Sequence, residues 1–206
     1  MAKLDNWSME ERFLFVTMKV CLLKNFLAHV ESDVAKEWQE IEYKKERGEF
    51  ETFENYESVI DYPIFRARFA ARAICYELYA LTERVLRGLA AKEWHKLEMS
   101  MPQSSKPRTI YDLPIGQVIK MVETRFDIKV SEIEGGSDFD RLRKMVNAFK
   151  HRSGGRRIED VLPDPETGFL EFQWEATLEE ARLLLQSIPR FLQTLYGFRR
   201  SQQDKA

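Results

Sequence analysis

"SMEERFLFVTMKVCLLKNFLAHVESDVAKEWQEIEYKKER", residues 8–47, decides the fold class. Phe13, Val16, Val20, Leu23 and Leu27 recur at spacings of three and four, the period of one face of an α-helix, so these five are expected to point inward. Ser8 followed by Glu11 is a capping-box signature, in which a side chain at each end satisfies a backbone N–H of the first turn. A long amphipathic helix is therefore expected here.

The same period returns along the chain. "GEFETFENYES", 48–58, is an acidic interruption in which Phe50, Phe53 and Tyr56 either extend a helix or pin a loop. A second long helix is expected from about Pro63, whose fixed φ suits a first turn, to His95. Phe65, Phe69, Ala73, Tyr76, Tyr79, Ala80, Leu86 and Leu89 supply its apolar faces. "EMSMPQSSKPRT", 98–109, is a polar, proline-bearing loop. A third helix covers about 114–126, with Ile115, Val118, Ile119 and Val122 inward. "SDFDRLRKMVNAFKH", 137–151, is a fourth, with Ser137 as N-cap and Asp138 and Asp140 near the positive end of the helix dipole. "RIEDVLPDPETGFLEFQW", 157–174, has a Pro/Gly turn between two short apolar runs and reads as a small extended excursion. Thr177 and Glu180 form a second capping box and open a last helix, in which Pro189 is an internal kink candidate. "RRSQQDKA", 199–206, is expected to fray. The sum is an all-α fold: an antiparallel bundle of about five helices with two long central ones.

Bulk numbers set the limits. The chain has 206 residues, 44% hydrophobic and 32% charged, which suits one globular domain. A net charge of −2 excludes a global polyanion binder, so any nucleic-acid contact must come from a local patch. Cys21 and Cys75 sit in helical patterns and read as small buried hydrophobes. No apolar run approaches the roughly 20 residues of a spanning helix, and "MAKLDNWSMEER" is no signal peptide, so the expectation is a cytoplasmic protein without membrane contact. His29 and His95 have no partners at ligand spacing, no glycine-rich phosphate loop follows a strand, and neither a metal nor a cofactor is expected. "FRARFAARA", 65–73, reads as a solvated helix face or as an addition to a basic surface.

The fourth helix holds the chemistry. On a helical wheel Phe139, Leu142, Met145, Val146 and Phe149 share one broad arc, the core face. Lys144, Asn147 and His151 stack opposite, at spacings of three and four, with Arg143 at the edge of that stripe. Arg141, Arg143, Lys144, Lys150, Arg152, Arg156 and Arg157 occur between 141 and 157 without one carboxylate. Cations suit a helix C-terminus, which accounts for Lys150 and Arg152. Arg156 and Arg157 lie beyond Gly154 and Gly155, where backbone can approach a phosphate closely. A histidine among cations is weighted toward its neutral, basic form. A base to take the 2′-hydroxyl proton and a cation to meet charge on phosphorus are what metal-free RNA cleavage needs. A solvated, capped helix end is the alternative.

"VNAFKH", 146–151, with its basic, glycine-bearing follow-on, resembles the signature of the HEPN superfamily, the small helical-bundle proteins of prokaryotic toxin–antitoxin, phage-defence and CRISPR systems. The layout of 60–196 is similar too, with 1–58 as an N-terminal helix and acidic loop and 197–206 as a tail. The resemblance implies a homodimer whose paired motif helices build a metal-independent endoribonuclease site. It implies His151 as base, Asn147 as the group orienting the phosphate, and Lys150, Arg152, Arg156 and Arg157 on the RNA backbone. The family's arginine just before the polar residue is Val146 here, which leaves Arg143 or Lys144 to supply the charge from a turn earlier. Glu83 or Glu77 on the second helix would support the site. Two functions follow: an endoribonuclease, or a catalytically degenerate adaptor that binds a partner protein of a defence or antitoxin system, RNA or a nucleotide.

Overall fold

A computed structural model describes residues 9–50, 52–100, 109–152 and 176–203. Its elements are α1 (Met9–Glu46), α2 (Phe53–Ser100), a 3-10 turn (Ile110–Asp112), α3 (Ile115–Phe126), α4 (Gly136–Arg152) and α5 (Leu178–Gln203). The fold is an all-α helical bundle, without a strand among the described residues. The expected excursion at 157–174 lies outside them.

The helices group into two compact units, one of residues 1–76 and 144–185, the other of 77–143 and 186–206. In the first, Val16, Val20, Leu27, Val30 and Ile41 of α1 are buried, as are Ala70, Ala71, Ile74 and Cys75 of α2 and Ala181, Leu184 and Leu185 of α5. Arg66 of α2 reaches Glu37 of α1 at 2.8 Å and Asp33 at 3.9 Å. Arg182 of α5 reaches Glu31 of α1 at 2.7 Å. The capping box at α5 is formed: Glu180 N–H donates to Thr177 Oγ1 at 3.1 Å, and Thr177 N–H donates to Glu180 Oε2 at 3.1 Å.

In the second unit, Leu78, Leu86 and Leu89 of α2, Val118 and Val122 of α3, Phe139 and Leu142 of α4, and Ile188, Phe191 and Leu195 of α5 are all closed to solvent. The buried Arg87 ties the 3-10 turn to α2, donating to the Ile110 and Leu113 carbonyls while paired with Glu83. Asp127 ends α3 in the left-handed conformation, at φ 53°.

Several expectations give way. The second helix starts at Phe53, ten residues before Pro63, because Thr52 caps it: Asn55 N–H donates to Thr52 Oγ1 at 3.2 Å. Pro63 is interior and buried, its missing N–H tolerated within a helix held by packing. Phe50 stays outside that helix and meets Tyr56 edge-on at 5.3 Å. Helix α4 starts at Gly136, so Ser137 is inside the first turn and not the cap. Helix α5 runs to Gln203, through much of the stretch expected to fray.

Phe13 and Cys21 are exposed where burial was expected; Cys75 is buried as expected. The cause is that apolar residues run round α1 and not along one stripe. Val16, Val20 and Leu27 take the core, while Leu14, Met18, Leu22 and Phe26 face outward. For the same reason Phe13–Glu46 is long and apolar enough, by length and composition, to cross a membrane, contrary to the expectation that no run approaches that length.

Candidate functional site on helix α4

The division of α4 into two faces is as the wheel predicts. Phe139, Leu142, Met145, Val146 and Phe149 are buried, and Val146 is 0% exposed. Lys144 and Asn147 are exposed, one helical turn apart. Val146 sits where the resembled motif has arginine, and it is buried on the core face, opposite the polar stripe.

Arg143 is committed locally. Its Nη2 donates to Asp140 Oδ1 at 2.6 Å, one turn back on the same helix, with both side chains partly exposed. This charge-assisted bond satisfies part of the fork that a phosphate would use. Lys144, the next residue, is exposed. The backbone of Lys150, His151 and Arg152 completes α4, so His151 is one turn beyond Asn147 on the stripe. The side chains of these three, and all of Arg156 and Arg157, lie outside the described residues.

Glu83 and Glu77 differ. Glu83 accepts from Arg87 Nε at 3.1 Å and is bound to the guanidinium that pins the 3-10 turn, so it has a structural task. Glu77 is exposed. Beside Glu83, the buried Tyr79 has its phenol pushed above the ordinary tyrosine range, first by burial and then by the Glu83 carboxylate, against the pull of Arg87 and Arg143. Tyr79, Glu83, Arg87 and Arg143 thus share one electrostatic neighbourhood in the second unit. The sequence signal for it was an arginine inside "YALTERVLRGLAA", a segment apolar nearly all round.

Within the first unit the C-terminal turns of α4 touch α2. The Phe149 ring lies 5.9 Å from that of Tyr76, and the Arg72 guanidinium lies over it at 5.0 Å. Neither contact was foreseen, since Arg72 reads by spacing as a solvated residue. Among the described residues no group of three or more His, Cys, Asp or Glu is placed to hold a metal ion.

Compared with models of known protein families, with curated proteins and with solved structures, the chain matches none.

Proposed function

We propose that this chain is a HEPN-like protein of a prokaryotic defence or toxin–antitoxin system, cytoplasmic and dimeric, that engages RNA through the stripe on α4. The observation that carries this reading is the pairing of exposed Lys144 and Asn147 with a fully buried opposite face, in a segment where basic residues stand without carboxylates. In the catalytic form, His151 takes the 2′-hydroxyl proton, Asn147 orients the phosphate, and Lys144 or Arg143 meets the charge that builds on it. Lys150, Arg152, Arg156 and Arg157 hold the backbone, so binding weakens steeply with salt. The antiparallel pairing of the two long helices belongs to the same proposal, and Arg66 reaching back to Glu37 after a short turn supports it.

A second reading has its own observations. Val146 is buried in the core and Arg143 is paired with Asp140, which favours a degenerate adaptor that binds RNA, a nucleotide or a partner protein without cutting. Lysine also lacks the planar fork that arginine offers a phosphate.

The deciding experiment is RNA cleavage in EDTA by the natural chain and by His151→Ala. Cleavage that the substitution abolishes supports the enzyme. Salt-sensitive binding without products supports the adaptor, and neither binding nor cleavage by a folded chain removes the RNA reading.

A further inference from the structure

One face of α2 in the first unit is aromatic and basic at once. Phe65, Arg68, Phe69 and Arg72 stand at i, i+3, i+4 and i+7, which is one side of one helix. All four are exposed, Phe65 by 65% and Phe69 by 76%. Two phenylalanines this open to water add little to the fold, so packing does not account for them. Between Asp61 and Glu77 the chain carries Arg66, Arg68 and Arg72 and no carboxylate. Arg66 turns to Glu37 on α1, whereas Arg72 lies over the Phe149 ring. That contact joins the face to the buried side of α4 at its C-terminal turns.

We propose that this face is a stacking platform for single-stranded RNA; the inference rests on the RNA reading of the α4 stripe. The rings of Phe65 and Phe69 take bases, and the guanidiniums of Arg68 and Arg72 meet the phosphates between them. The two rings are one turn apart, about 6 Å along the helix axis. Stacked nucleotides rise about 3.4 Å each, so only an unstacked strand can use both rings. A duplex hides its base faces and offers the platform nothing. The arginines decide between occupants. They complement a phosphate backbone, whereas an apolar partner helix or hydrocarbon would meet two cations among the rings.

The test uses the full chain and a fluorescent single-stranded oligouridine, with binding read by anisotropy between about 50 and 200 mM salt. The variants are Phe65→Ala, Phe69→Ala, Phe69→Trp, Arg72→Gln and, on the α4 stripe, Lys144→Gln. Each alanine is expected to weaken binding about tenfold with an unchanged salt slope, and Phe69→Trp to retain it. Arg72→Gln is expected to lower the slope by about one. A photoreactive uridine in the same strand is expected to cross-link to Phe65 or Phe69. Binding weakened by Lys144→Gln but untouched by both alanines overturns the platform and leaves the α4 reading standing. Equal affinity for single strand and duplex also overturns the platform. If the alanines change the oligomeric state or vesicle binding and leave RNA affinity alone, the face serves a protein or a lipid surface. If the natural chain binds no RNA, the platform falls together with the α4 reading.

Discussion

Phe139 on α4 and Phe191 on α5 stack with their ring planes 12° apart and their centroids 5.2 Å apart, both closed to solvent. Within the second unit the pair bolts the start of α4 to α5. Truncating either ring removes a large apolar surface and leaves a void. Phe139→Ala and Phe191→Ala should each lower unfolding free energy by about 3–5 kcal/mol in urea titrations. The double variant should show a coupling of about 0.5–1.5 kcal/mol. Strict additivity would mean that the rings act only as separate hydrophobes. Leucine at either position keeps the chain folded should the alanines be too costly.

Gly135 precedes α4 with φ 74°, and a Cβ there would lie 2.9 Å from both Phe191 Cβ and the Ser187 carbonyl oxygen. Gly48 has a similar φ of 65° with nothing within 4 Å. The two separate backbone strain from crowding. Gly48→Ala meets only the left-handed penalty, about 1–2 kcal/mol. Gly135→Ala adds overpacking and should lose about 2–4 kcal/mol. Thermal midpoints of the two variants, compared side by side, check the order. Equal losses would remove the crowding argument.

The helices were legible in the sequence wherever a single apolar stripe faced a single core. Phe139, Leu142, Met145, Val146 and Phe149 show this, as does the Thr177/Glu180 cap. Legibility failed where apolar residues outnumber the buried positions. On α1 and at the start of α2 the period does not say which of Phe13, Val16, Phe65 or Ala70 wins the interior. Shape and the neighbouring helix decide that. The start of α2 was hidden because Pro63 looks like a boundary, while the cap at Thr52 works through one hydroxyl. Of the candidate site, the stripe was readable and the partners were not. Asp140 on Arg143 is a local pair that spacing permits, but Arg72 on Phe149 depends on packing between distant segments.

Arg87 joins α2 to the 3-10 turn through two carbonyls and Glu83, and it is 5% exposed. Arg87→Met keeps the stem volume and strands those acceptors. The loss should be about 2–3 kcal/mol, below that of a fully buried pair because the Glu83 side chain is 26% exposed. Adding Glu83→Gln should restore part of it, since no lone carboxylate then remains. Amide exchange at Ile110–Leu113 should quicken in Arg87→Met before global unfolding. Unchanged exchange there would mean that the turn is held by its own Thr109–Asp112 cap.

Tyr79 sets an alkaline limit. Burial, and after it the Glu83 carboxylate, raise its pKa above the ordinary value of 10.0. The unfolded chain releases this proton at its ordinary pKa, while the folded chain holds it longer. The stability that Tyr79 contributes is therefore fully present below about pH 10 and is lost as pH rises through the folded-state value. Absorbance titration should show one phenol ionising late, and Tyr79→Phe should remove it. In the variant, stability should fall less between neutral pH and the alkaline range. A late phenol that survives Tyr79→Phe would assign the buried hydroxyl to another tyrosine.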